Sequence, residues 1–248
     1  MKQALKKVLG GQWQRARAVR FLSKAASAGF AGQYERECPL CQYEGKFLPE
    51  VHLPDIFNFD ALCPSCGSLP RNRLLWMQVQ AQKLIGPNDR MLHFAPEACL
   101  SPRFRALAGS YKTADLFAPN VDLKLNIENI DLPDGSVDVI AVSHVLEHVD
   151  DSKAVRELYR ILAPGGRLLV LVPVAEGWET TYELGRPLTP SEKALHYGKD
   201  NHVRRYGRDV RDRLARPGFV VEAANFDGET SVRHALLPGE NLFICRKP

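Results

Sequence analysis

The chain has 248 residues, of which 45% are hydrophobic and 25% charged. That composition suits a globular fold with a sizeable core and excludes a disordered or collagen-like chain. A net charge of +4 is too weak to imply a nucleic-acid partner by itself, and no apolar run reaches bilayer length.

Residues 1–33 hold Lys2, Lys6, Lys7, Arg15, Arg17, Arg20 and Lys24 and no acid. Leu5, Val8, Leu9, Trp13, Ala16 and Val19 approximate a stripe, so a basic amphipathic N-terminal helix is expected. It packs on the rest of the chain in the simplest reading; peripheral membrane or polyanion contact is the alternative. Residues 34–68 contain Cys38-Pro-Leu-Cys41 and Cys63-Pro-Ser-Cys66. Each pair can form a knuckle that aims two thiolates at one ion, and two knuckles complete a tetrahedral zinc site. Four of the six cysteines used this way point to a metal in a reducing, cytoplasmic setting rather than to disulfides. The segment between the pairs has room for one or two short strands. Residues 69–87 read as a linking helix that ends at Gly86–Pro87, with Arg71 and Arg73 as surface charges or, alternatively, phosphate or carboxylate contacts.

From residue 88 strands and helices alternate, the pattern of an α/β domain. Arg90–Ala95, Tyr111–Ala114 and Val121–Leu125 read as the first three strands, with Asp115 and Asn126 at the ends of the second and third. Val137–Val142 is an apolar, β-branched run, as expected for a strand buried on both faces. Asp150 and Asp151 open a helix whose apolar face is Val155, Leu158, Tyr159 and Leu162. Pro164–Gly165–Gly166 stops it, and Arg167–Val172 is the next strand. Residues 174–207 form an insertion rich in Gly, Pro, Thr and Glu, expected to cover the site mouth. A helix at Asp209–Leu214 and strands at Val220–Ala224 and Asn241–Cys245 follow.

Val145–Leu–Glu–His–Val149 after the fourth strand and Leu162–x–Pro–Gly–Gly166 before the fifth resemble the class I S-adenosylmethionine (SAM) dependent methyltransferases. Within them the chain looks most like the methyltransferase type 11 group. The resemblance covers residues 88–248. It implies a Rossmann-like seven-stranded sheet with helices on both faces, preceded here by the zinc ribbon and the basic helix. It also implies SAM as cofactor, bound by Phe94, Ala95, Pro96, Glu97, Asp115, Leu116, Asn126, Ile127, Ser143 and His144. Asp115 would take the ribose hydroxyls and Asn126 the adenine. One departure stands out. The loop after the first strand, His93-Phe-Ala-Pro-Glu97, has none of the family's glycines.

Methyl transfer from a sulfonium needs alignment of the acceptor and, for a hydroxyl, a general base. His148 is the first candidate base, then His144 and His202. Glu147, His202, Arg204, Arg205 and Tyr206 are candidate substrate contacts, with an Arg–carboxylate network that orders the insertion as the alternative. His144-x-x-Glu147-His148 also spells a metallopeptidase-like string. Its place at a strand end, with no third ligand apparent, argues against that reading. The string also resembles the Glu-x-x-Glu-His with which some related quinone O-methyltransferases hold a divalent metal; here His144 replaces the first Glu, which disfavours magnesium. The expected function is methylation of a small-molecule or sugar/glycan acceptor on oxygen or nitrogen. An RNA methyltransferase and a non-catalytic zinc-ribbon binding protein are the alternatives.

Overall fold

The computed structural model describes residue 32 and residues 34–52 and 56–248. The expected N-terminal helix lies outside the described residues. The chain divides into two compact units.

The first unit takes the described residues up to Arg73 together with Gly228–Leu236. Two antiparallel ribbons build it: β1 (Glu35–Glu37) with β2 (Glu44–Lys46), and β3 (Leu48–His52) with β4 (Ile56–Leu62). Three strands thus fill the interval between the cysteine pairs, against the one or two expected. Arg73 organises this unit. It is fully buried and donates to the carbonyls of Ala61, Ser68, His234 and Ala235 at 2.6–2.9 Å. Its guanidinium also lies 4.9 Å from the Phe47 ring centroid. A guanidinium so engaged belongs to the fold and is not a phosphate contact. Arg71 lies 3.8 Å from Glu50.

The second unit holds α1 (Pro70–Gln82) from Leu74 onward and a seven-stranded sheet. Its strands are β5 (Arg90–Phe94), β6 (Ser110–Asp115), β7 (Leu123–Lys124), β8 (Val137–Ser143), β9 (Leu162–Leu171), β10 (Val220–Ala224) and β11 (Leu242–Arg246). Their order is β10-β11-β9-β8-β5-β6-β7. β5 to β9 run parallel, and β11 is antiparallel to both neighbours. The expected Rossmann-like sheet is therefore present, including the antiparallel last strand in sequence. Val139, Ile140 and Ala141 of β8 are completely buried. Burial of aliphatic side chains such as Val and Ile contributes about 1.5–3 kcal/mol each, which fixes β8 as the central strand.

Between the strands lie α2 (Ser101–Leu107), α3 (Asp151–Ile161), α4 (Pro190–Tyr197), α5 (Val210–Ala215) and, in the first unit, α6 (Gly228–Arg233). Asp150 caps α3 by accepting from the Lys153 N–H. The buried face of α3 is Ala154, Val155, Leu158 and Ile161. Leu162 is not part of that stripe, because the chain has already turned extended there. Only glycine fits the turn that follows. Gly165 has φ +75°, and a Cβ on Gly166 would meet the Ala163 carbonyl at 2.7 Å. The helix α4 lies inside the insertion expected to cover the site mouth, and α6 in a stretch for which no element was expected. α4 is held by a Thr189/Glu192 capping box and closed by Gly198 in the left-handed conformation.

Candidate active site and cysteine cluster

The second unit has a cleft of about 410 Å³ at the carboxyl ends of β5, β6 and β8. Ligands of open α/β sheets bind at such an edge, and the volume suits a nucleoside-sized molecule. Phe94 and Ala95 reach it from β5, Asp115, Leu116 and Phe117 from β6, and Leu125, Asn126 and Ile127 from the β7 turn. His144, Val145, His148, Val149 and Asn201 complete it.

Of the ten residues expected around the cofactor, seven line this cleft: Phe94, Ala95, Asp115, Leu116, Asn126, Ile127 and His144. Pro96, Glu97 and Ser143 do not. Asp115 folds the loop on itself, its Oδ1 accepting from the N–H groups of Phe117 and Ala118 at 2.7 Å. Oδ2 has no hydrogen bond among the described residues, which leaves an anionic acceptor at the cleft. Asn126 Oδ1 accepts from the Glu128 N–H in the same manner. Ala95 adopts φ +47°, the left-handed conformation that favours glycine. The loop without glycine thus keeps the glycine-like backbone.

What holds that backbone is a buried chain of polar groups. His93 is fully buried, and Nδ1 lies 2.8 Å from the Tyr111 hydroxyl and Nε2 2.8 Å from Glu97 Oε2. Burial pushes the Tyr111 phenol up to about 12, so its O–H donates to Nδ1 and the Nε2–H donates to Glu97. Burial alone would raise the Glu97 carboxyl. The hydrogen bond from His93 outweighs it and holds that carboxyl below the ordinary carboxylate range. Glu97 is therefore committed to His93, which explains its absence from the cleft wall.

The far side of the cleft is built on a break in regular structure. His144 leaves β8 with φ +54°, and Leu146–His148 make a single 3₁₀ turn. The five residues of the His-x-x-Glu-His string do not form an α-helical turn. The turn points Glu147 inward, 1% exposed, and leaves His148 at the cleft wall. Burial would raise the Glu147 carboxyl, but His144, with Nδ1 at 3.3 Å from Oε1, holds it below the ordinary range. His148 Nδ1 lies 3.2 Å from the Asn201 carbonyl, and its ring meets that of His202 edge-on at 4.7 Å. Burial pushes His202 down to about 4, so its ring is neutral at neutral pH.

Arg204 and Tyr206 take no part in the cleft wall. Arg204 donates to the carbonyls of Leu146 and Val149 and to Glu183, and the Tyr206 hydroxyl donates to the Leu146 carbonyl or to Asp151. Arg213 joins Asp151, Glu183 and Asp209 in the same network. These contacts fasten the insertion to the 3₁₀ turn, the arrangement left open beside the substrate reading. Arg205 is exposed. Sequence reasoning missed Phe117 and Asn201 on the cleft wall. An exposed aromatic two residues beyond a strand-end acid was the available sign of Phe117, which is 86% exposed. Asn201 carried none.

In the first unit the four cysteine thiols gather, with all Sγ atoms within 4.8 Å of one another. Cys38–Cys66 and Cys41–Cys63 are 3.6 Å apart, far longer than a disulfide. Zn–S bonds of about 2.3 Å in a tetrahedron give S–S edges of about 3.8 Å. The two knuckles match. In each the first Cys carbonyl accepts from the residue after the second Cys, Gln42 or Gly67, and that residue is left-handed. Although burial pushes thiols up, hydrogen bonds led by that from Ser65 bring Cys41 down to about 7. Cys63 is driven by burial up to about 12, the cost that a bound cation would offset.

Comparison with known proteins agrees with the second unit. Residues 97–170 match the family model described as a methyltransferase domain. The ubiquinone/menaquinone biosynthesis C-methyltransferase UbiE of Pseudoalteromonas translucida is 50% identical over 54 residues, 21% of this chain and 22% of that protein. UbiE of Vibrio parahaemolyticus is 43% identical over 65 residues, 25% of each chain. The match thus spans about a quarter of the length of these curated relatives. The structure of Haemonchus contortus phosphoethanolamine N-methyltransferase 2 in complex with SAM is 14% identical with a TM-score of 0.50, covering 77% of this chain and 54% of that one. Residues 97–170 thus match a methyltransferase domain, the second unit shares the fold of SAM-dependent methyltransferases, and the first unit holds a four-cysteine cluster.

Proposed function

We propose that the protein transfers a methyl group from SAM to a small-molecule or sugar/glycan acceptor, with the cysteine cluster holding a structural zinc ion. The observation that carries this reading is the cleft wall, where a free Asp115 oxygen, Asn126, Ile127 and the left-handed Ala95 backbone stand together. Asp115 Oδ2 suits a ribose hydroxyl, and Leu116, Phe117 and Ile127 supply an apolar bed for a base. When bound, SAM supplies a methyl group already activated by the sulfonium charge. The acceptor lone pair forms the new bond to carbon, the sulfur keeps the electron pair, and the acceptor proton must leave. His148 and His144 stand at the cleft wall to position the acceptor and take that proton, so the acceptor is expected beside them.

Four cysteines close the other site and leave no open position, so zinc there serves folding rather than chemistry. An RNA acceptor is the alternative; it rests on the cysteine ribbon, on the basic N-terminus, which lies outside the described residues, and on Arg71 and Arg73, of which Arg73 is committed to four carbonyls. The relatives do not fix the acceptor. The quinone chemistry in the name of the UbiE proteins belongs to chains matched over about a quarter of their length.

The test is calorimetric titration of the zinc-loaded protein with S-adenosylhomocysteine. Micromolar binding, about −8 kcal/mol, is expected, followed by label transfer from methyl-labelled SAM into sugar or small-molecule pools but not RNA. Absence of binding would overturn the reading and favour a non-catalytic protein.

A further inference from the structure

Glu147, His148 and His202 each offer one ligand atom, and these atoms all lie within 4.8 Å of one another. Two come from the 3₁₀ turn after β8 and one from the insertion. The backbone ties these segments together, with the Val203 N–H donating to the Glu147 carbonyl at 2.9 Å. Arg204 fastens the same turn through the carbonyls of Leu146 and Val149.

A second observation is independent of that clustering. Glu147 is 1% exposed, yet neither carboxylate oxygen has a hydrogen bond among the described residues. A buried carboxylate without hydrogen bonds is costly to fold around, and natural proteins keep such groups where a ligand completes them. Its nearest ion-pair partner, His144 Nδ1, sits at 3.3 Å. Glu240 Oε2, across His144, is also buried without a hydrogen bond.

A third concerns ring orientation. His148 Nδ1 is directed at the Asn201 carbonyl, so the Nδ1–H donates there and Nε2 is left with its lone pair. Metal-ligating histidines are usually oriented in this way, one ring nitrogen on a backbone carbonyl and the other on the ion.

We propose that Glu147, His148 and His202 form a second metal site, for a divalent cation of the zinc class, beside the methyl-transfer cleft. Two imidazoles and one carboxylate are borderline donors that suit zinc or cobalt and disfavour magnesium, which wants oxygen. Three protein ligands leave a coordination position open, unlike the closed four-cysteine cluster. On the methyl-transfer reading, that position would hold an acceptor hydroxyl and ease loss of its proton. The acceptor would then be a hydroxyl compound, with the rings of His148 and His202 acting through the ion. Metal binding itself does not depend on that reading.

The test is metal stoichiometry of the full chain, dialysed against zinc and measured by plasma emission, beside titration of the metal-free chain with Co²⁺. Two zinc ions per chain are expected, one for each ligand group. In the cobalt titration one equivalent gives the intense thiolate charge-transfer absorption, and the other gives only weak bands in the visible. Glu147→Gln and His202→Ala should lose the weakly absorbing equivalent and keep the thiolate one, with the circular dichroism spectrum unchanged. A wild-type chain that takes up only the thiolate-bound ion overturns the proposal whatever the variants do. So does a folded variant that keeps both. S-adenosylhomocysteine titration of the same samples separates the two readings. A second ion without S-adenosylhomocysteine binding sinks methyl transfer and leaves the metal site, and the reverse result does the opposite.

Discussion

Glu97 and Glu147 make an instructive pair. Both follow adjacent central strands, β5 and β8, and in both a histidine from the strand end holds the carboxyl below its ordinary range. The resemblance stops at hydrogen bonding. Glu97 meets His93 at 2.8 Å, and His93 is braced in turn by Tyr111. Glu147 lies deeper, its side chain 1% exposed against 18% for Glu97, yet it has only an ion-pair contact with His144 at 3.3 Å and no hydrogen bond among the described residues. One carboxylate is a finished strut and the other is a group awaiting a ligand. The downward shift looks alike in the two, so depth and hydrogen-bond accounting together separate structure from function.

The largest effect is expected from breaking the finished strut. His93→Ala leaves Glu97 buried without its partner, removes the Tyr111 acceptor and opens a cavity, for a loss of about 3–5 kcal/mol. Urea denaturation measures it, and a loss below about 1 kcal/mol would show that the strut is incidental. Asp115→Ala comes next. It removes the free oxygen at the cleft, and S-adenosylhomocysteine affinity should fall about 10–100-fold, the worth of a charged hydrogen bond. Unchanged affinity would mean that the cofactor lies elsewhere.

The matched substitutions Glu97→Gln and Glu147→Gln sharpen the comparison directly. The first disturbs a charge-assisted hydrogen bond and should cost about 1.5–3 kcal/mol. The second loses no hydrogen bond and, in protein stripped of metal, should cost less than about 1 kcal/mol. Acid titration adds a check. Because the folded Glu97 carboxyl lies below the ordinary 4.5, the unfolded chain binds its proton first. The stabilisation is complete above that ordinary value and is lost as pH falls through it to the folded-state value. Glu97→Gln should flatten that part of the stability curve. An unaltered acid limb would contradict the assignment.

The sequence disclosed the parts that rest on periodicity and on short spacing. The apolar run of β8, the Pro164–Gly165–Gly166 turn and the two Cys-x-x-Cys knuckles are local patterns, and each maps onto one local conformation. It also disclosed most of the cleft wall, because strand ends are where such residues must stand. What it hid depends on distant partners. Nothing in His93-Phe-Ala-Pro-Glu97 announces that Tyr111 would brace His93, and so turn Glu97 from the cleft. His202 stands 54 positions beyond His148 in the chain, and only the insertion's path back to the 3₁₀ turn brings the rings together. Arg204 read equally well as a substrate fork or as a strut, since two of its partners are backbone carbonyls and carry no sequence signature.

The smallest effect tests whether the loop without glycine is adapted or merely tolerated. Ala95 at φ +47° carries a left-handed backbone that costs a non-glycine residue about 1–2 kcal/mol. Ala95→Gly removes that strain but loosens the unfolded chain by about 0.5–1 kcal/mol. The two nearly cancel, so the variant's thermal midpoint should move little and upward if at all. S-adenosylhomocysteine affinity should stay the same, because the His93–Glu97 strut already holds the backbone where glycine would let it go. The informative form is the double variant. If the strut stands in for glycine, His93→Ala should weaken binding in the wild-type background and weaken it less when combined with Ala95→Gly. Equal losses in the two backgrounds would mean that the strut supports the strand and not the cofactor loop.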